Sequence, residues 1–203
     1  MNLPISRTQA LELLKKFPQQ ESDMNHYLGS EAIMRGLAEH FSQRDDPGGP
    51  NEDVEYWGML GLLHDVDWAL TRDNISKHLT KTPEILKKAG FDDEFIEIVL
   101  SHGWGHEVLP QWKDKQRTKK VEHCLAAAET LTGIIYAYAL MRGKKISDME
   151  VKGLKKKFKD KAFAQNCNRK IIREIEKTGL TLDEFFEIAI KSIKKIKEEI
   201  GLE

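Results

Sequence analysis

The chain has 203 residues, 40% hydrophobic and 32% charged, with 14 Gly, 6 Pro and 2 Cys. That composition excludes collagen-like, disordered and small disulfide-stapled classes and leaves enough chain to bury a sizeable core. The formal net charge of −1 exerts no global pull toward nucleic acid or an anionic membrane, yet it is unevenly placed, about −6 over residues 1–150 and about +5 over 151–203 by direct count.

The longest apolar stretch, Leu131 to Met141, falls short of the roughly 20 residues a membrane span needs, and the N-terminal segment lacks a charged head before an apolar run. No membrane partner and a cytoplasmic location are therefore expected. Cys124 and Cys167 lie far apart with no C-x-x-C and read as buried thiols.

Apolar residues recur at three and four spacing, strand-like alternation is almost absent, and no internal repeat is found, so the chain reads as all-α. The periodicity predicts helices at about 7–16, 27–42, 54–64, 83–89, 92–101, 119–141, 147–159, 168–178 and 182–200. Arg44 to Asn51 reads as a loop, Thr82-Pro83 as a helix entry, Gly90 as an exit, and Thr181 with Glu184 as a capping box. Gly103 to Gln116, carrying Trp104, His106, Pro110 and Trp112, is the longest irregular segment, of the kind that often borders a site. The expected organisation is a helical unit over 1–145 with further C-terminal helices over 146–203 packed on it.

The informative feature is where ionisable groups fall relative to the apolar stripes. Trp57, Leu60, Gly61 and His64 follow the i, i+3, i+4, i+7 rule, with Asp65 beside them; Phe95, Ile98, Val99 and His102 repeat it. Leu125, Glu129, Thr132 and Tyr136 put a carboxylate inside a very apolar helix, and His26 runs with Ser30, Ile33 and Leu37. Four helices thus each direct an ionisable group inward. Burying any one unpaired costs several kcal/mol, and one multivalent cation would satisfy all of them together. The mixture of imidazole and carboxylate suits Mn, Fe, Ni, Zn or Co better than Ca. Taken singly, each inward His is more often a hydrogen-bonded core residue, and Glu129 could pair with an Arg or Lys; the coincidence of four favours the metal.

These residues resemble the HD-domain superfamily of metal-dependent phosphohydrolases, in its HDIG-type branch. The resemblance runs from about His26 to Gly133 and is carried by His26 near a helix start, Gly61-Leu62-Leu63-His64-Asp65-Val66-Asp67, His78 followed by Glu84-Ile85-Leu86, Leu100-Ser101-His102-Gly103, and Ala128-Glu129-Thr130-Leu131-Thr132-Gly133. It implies an HD-type helical bundle in which His26, His64 and Asp65 ligate a metal closed by the acid at position 129. In binuclear members His78 and His102 would bind a second ion, with Asp65 bridging. Two departures stand out. The family normally has Asp where this chain has Glu129, and Trp68 replaces the lysine of some cyclic-dinucleotide phosphodiesterases, whose GYP signature is missing as well.

The expected activity is hydrolysis of a phosphate ester of a nucleotide or other small phosphorylated metabolite by a metal-activated water, with one or two divalent ions. Asp67 is a candidate to orient the water or shuttle a proton, and His106 a candidate to protonate the leaving oxygen. Trp104 and Trp112 could stack on a base or simply close a core. Val151 to Arg173 holds nine Lys or Arg against Asp160 alone, so Lys156 and its neighbours are candidates to steer a phosphorylated substrate, or form a solvated face. Nucleic acid as a partner is disfavoured. The last helix, with Phe185, Ile188, Ala189, Ser192, Ile193 and Ile196 in register, reads as a cover over the core or a homodimer contact. The competing readings are a catalytically silent module that senses metal or nucleotide, and a structural domain whose histidines are core hydrogen-bonders.

Overall fold

The computed structural model describes residues 3–44 and 53–203, the side chains of Gln43 and Arg44 aside. The loop expected from Arg44 to Asn51 lies almost wholly outside them. The described residues form α1 (Arg7–Lys15), α2 (Glu21–Arg44), α3 (Val54–Leu63), α4 (Trp68–Thr71), α5 (Thr82–Lys88), α6 (Asp93–Ser101), α7 (Lys120–Met141), α8 (Val151–Lys159), α9 (Arg169–Ile172) and α10 (Leu182–Lys195), with short 3-10 turns at Ile75–Lys77 and Arg173–Thr178. No strand occurs among them.

Most helices begin where a side chain can satisfy the first free backbone N–H groups. Ser6 and Gln9 form a capping box on α1, Asp53 accepts from Tyr56 N–H on α3, and Asp92 accepts from Phe95 N–H on α6. The expected box of Thr181 and Glu184 opens α10, Pro83 stands in the first turn of α5, and Gly90 leaves that helix with φ +92°. Four boundaries differ most from the periodicity, among them the end of α10, which stops at Lys195 rather than 200. α2 starts at Glu21 rather than 27, so His26 lies within the helix rather than at its start. α8 starts at Val151, and the stretch expected as one helix over 168–178 is a short α-turn running into a 3-10 turn.

α2 and α7 form the frame. α2 packs against α3, α7 and α10, while α7 touches α3, α6, α8, α9 and the 3-10 turn that follows. By length and composition α7 could cross a membrane, but here it is the central core helix, with Leu125, Ala127, Ala128, Leu131 and Ile134 fully buried. The C-terminal helices cover the frame through Phe185, Phe186, Ala189 and Ile193, all buried.

α2 and α3 meet closely because of Gly61. A methyl group there would stand 2.6 Å from Ser30 O and 2.8 Å from Glu31 N, which are backbone atoms that cannot swing aside. One helix carries His26 and the other ends at His64, so this contact sets the spacing of two site residues.

Candidate metal centre

His64 and His102 occupy the same local position. Each follows the last residue of a helix, α3 or α6, where the final carbonyls lack an intrahelical partner. Each ring turns back on its own helix: His64 Nδ1–H donates to Gly61 O at 2.8 Å and His102 Nδ1–H to Val99 O at 2.7 Å. These bonds fix the tautomer and leave both Nε2 lone pairs pointing away from the backbone.

His26 is oriented by a side chain. The Thr132 hydroxyl donates to Glu129 O at 2.5 Å, so its oxygen accepts from His26 Nδ1–H at 2.7 Å. His26 Nε2 then stands 3.0 Å from His64 Nε2, with Asp65 Oδ2 at 3.7 Å and 3.5 Å from the two. Ligand atoms of His26, His64 and Glu129 lie within 4.8 Å of one another.

The other Asp65 oxygen faces the second pair. Oδ1 lies 3.1 Å from His78 Nε2 and 3.2 Å from His102 Nε2, and those nitrogens are 3.4 Å apart. Asp65, His78 and His102 likewise bring one ligand atom each within 4.8 Å. One carboxylate thus stands between two groups of ligands, with one oxygen toward each.

Burial sharpens the electrostatics. Desolvation pushes His64 down to about 3 against the attraction of Asp65, so its ring is neutral at pH 7. Burial would raise Asp65, but the surrounding histidines hold its carboxyl well below the usual range. Burial also works against a charged His78, yet Asp65 and Asp67 on either side outweigh it and push the ring up to about 10. Burial raises Glu129, whose Oε1 accepts a hydrogen bond from the Thr130 hydroxyl. Four converging imidazoles with two carboxylates are a donor set that a divalent transition metal fits.

All six residues expected as ligands, His26, His64, Asp65, His78, His102 and Glu129, come together. The other candidate residues sit in differing surroundings. Asp67 is fully buried behind His78. Its Oδ1 accepts from His78 Nδ1–H and Leu79 N–H, both at 3.1 Å, and its Oδ2 from Lys81 N–H at 2.9 Å. With its oxygens so engaged, it orients a ligand and holds the turn in which Leu79 adopts φ +67°, rather than facing a water. His106 is half-buried, and burial with neighbouring His102 and Arg117 lowers it to about 4, so its ring is neutral at pH 7.

Trp104 is buried, with Lys115 Nζ 5.0 Å above its ring, so it closes the 103–116 loop instead of offering a free stacking face. Trp112 shares that ammonium at 5.1 Å. Lys156 is exposed on α8. Within the basic segment Arg169 turns inward and donates to the carbonyls of Ala164 at 2.5 Å and Cys167 at 2.7 Å, organising its own loop.

Sequence reasoning missed what three residues do at the site. Trp68 packs edge-on against His78, ring centroids 5.3 Å apart. Gly103 makes room beside His102, since a methyl group there would stand 2.5 Å from Leu79 Cδ1. Arg117 donates to the carbonyls of Ser101, His102 and Trp104 at the end of α6. The glycine after His102 was visible in the sequence; an arginine in an irregular stretch gave no signal of its partners.

A family model described as HD domain matches residues 24–134. Searches among curated proteins and among solved structures gave no significant match. The matched stretch takes in more than half of the chain and holds all six clustered residues, and it ends just beyond Glu129 and Thr132 in α7; the chain belongs to the HD domain family.

Proposed function

We propose that the protein is a metal-dependent phosphohydrolase in which two divalent cations share Asp65. The observation that carries this reading is the position of that carboxylate, with Oδ2 toward His26 and His64 and Oδ1 toward His78 and His102. When bound, such cations neutralise phosphoryl oxygens and lower the pKa of a ligated water toward about 7.

The chain's own groups supply orientation. Backbone carbonyls fix His64 and His102, Thr132 fixes His26, and Asp67 fixes His78, so every ring is held before substrate arrives. Hydrophobic packing around fully buried His64 excludes water from the inner side. His26, with 27% of its side chain exposed, marks the side from which substrate enters. Half-buried His106, close enough to His102 and His78 for their charges to lower it, is the group proposed to carry a proton during hydrolysis.

The test is metal content and turnover on the same preparations. The reading expects bound Mn, Fe, Ni, Zn or Co, hydrolysis of small phosphate esters, and loss of turnover in Asp65→Ala and His64→Ala. Turnover retained in Asp65→Ala contradicts it. Metal uptake without turnover of any mono- or diester or nucleotide supports the silent sensor module instead. Glu129→Asp, which restores the family's usual acid, should then show whether the longer carboxylate weakens metal occupancy.

A further inference from the structure

Of the His26, His64 and Glu129 group, His26 lines an apolar groove between α2 and α7. α7 is mostly buried, but Glu129, Gly133, Tyr136 and Ala137 are only half-buried and Leu140 is 46% exposed. Their spacing of four, three, one and three residues puts them on one helical face. The part of that face from Gly133 to Leu140 lines the groove, and Glu129 lies beyond it.

Facing it on α2 stand Ser22, Asn25, His26 and Gly29, again three and four apart, while Ile193 and Ile200 close the end. The groove holds about 230 Å³. That is the size of a small organic group and too small for a helix or a folded partner. No Lys, Arg, Asp or Glu is among its lining residues. Its polar features include Asn25, whose Nδ2–H donates to Tyr136 OH at 3.0 Å, leaving the phenolic proton free for an incoming group. At Gly133, where a methyl group would stand 2.7 Å from Cys167 Sγ, the 160s loop packs close against α7.

Resting on the phosphohydrolase reading above, we propose that this groove receives the organic part of the substrate, and that the substrate is a phosphate ester of an apolar or aromatic alcohol. A polyphosphate chain entering the groove would be desolvated with no cation to pair with, whereas an apolar group gains by leaving water. In the hydrolysis, the water oxygen bonds to phosphorus and the P–O bond to the alcohol breaks. The electron pair goes to the alcohol oxygen, which takes up a proton equivalent to the one released by the water, giving alcohol and phosphate. His26 marks where the phosphoryl group ends and the groove begins.

Two measurements separate this inference from the reading beneath it. The first compares kcat/KM for 2-phenylethyl phosphate and ethyl phosphate, whose leaving alcohols are chemically alike, and for ADP, in the Mn-loaded protein. The phenylethyl ester should be favoured over ethyl phosphate by about tenfold or more, and that ratio should collapse toward one in Ala137→Phe and in Leu140→Glu. The second follows 2-phenylethanol binding to the chelator-stripped protein by saturation-transfer NMR, with the signal lost in the same variants. Leu140 is exposed, so its variant keeps the test decisive if Ala137→Phe does not fold.

Alcohol binding that depends on Ala137 or Leu140, with no turnover of any ester, upholds the groove and removes the hydrolase. Turnover with a ratio near one and no alcohol binding, or faster turnover of ADP than of the phenylethyl ester, overturns the groove and leaves the hydrolase.

Discussion

Glu174 holds Arg117 with both carboxylate oxygens, Oε2 accepting from Nε and Oε1 from Nη2, each at 2.8 Å. Arg117 is almost fully buried, and its Nη1 reaches the carbonyls of Ser101 at 2.7 Å, Trp104 at 2.8 Å and His102 at 3.3 Å. His123 adds a third contact to Glu174 at 2.7 Å. A residue outside the family match thus clamps the helix end that presents the ligand His102. Burial would raise Glu174, but Arg117 and His123 hold it at about 2.

Glu174→Ala leaves Arg117 buried without its counter-charge, which should lower stability by about 3 kcal/mol. Calorimetric metal titration should show the His78 and His102 half weakened by about tenfold or more, the scale of lost second-layer support. The depressed pKa adds a pH signature. Stability from Glu174 is fully present above the ordinary value of 4.5 and is lost as pH falls toward about 2. Denaturation midpoints followed through that window should fall more steeply in the wild type than in Glu174→Gln.

His78 predicts proton release on metal binding. Its ring lies between Asp65 and Asp67 with a pKa of about 10, so without metal it is charged at pH 7 and a cation must displace the Nε2 proton. Titration at pH 8 in buffers of different ionisation heat should show a proton released per ion bound at this half, with apparent affinity climbing about tenfold per pH unit up to near 10. In the metal-free protein the sign is opposite. The raised pKa contributes stability that is complete below 6.5 and lost as pH rises through about 10. Equal heats in all buffers would show that His78 binds the ion without losing a proton.

Gly61→Ala should separate α2 from α3. The added methyl meets Ser30 and Glu31 backbone atoms at 2.6–2.8 Å, so the helices must part or bend, at a cost of about 1–3 kcal/mol. Because His26 and His64 ride on those two helices, metal occupancy of that half should fall together with the melting temperature. A stability loss with unchanged occupancy would mean that the pair tolerates wider spacing.

The helices and ligands were legible because both are local or periodic signals. The stripe through Trp57, Leu60, Gly61 and His64 marks an inward histidine, and Thr181 with Glu184 marks a helix start, whatever the rest of the chain does. Asp67 was legible as a residue but not as a role. Its partners, His78 Nδ1 and the N–H groups of Leu79 and Lys81, depend on a turn with a leucine at positive φ that no spacing rule anticipates. Arg117 and Glu174 lie 57 positions apart, and nothing in either neighbourhood announces the other. Trp104, which the sequence left as able to stack on a base or to close a core, has its cover, Lys115, from the fold of the same irregular loop.

The central claim is that Asp65 stands between two cations. Anomalous diffraction from crystals loaded with Mn tests it most directly. Two anomalous peaks are expected, one on the Oδ2 side among His26, His64 and Glu129, the other on the Oδ1 side against His78 and His102. A loaded crystal with no anomalous density within coordinating distance of the Asp65 carboxylate would contradict the account.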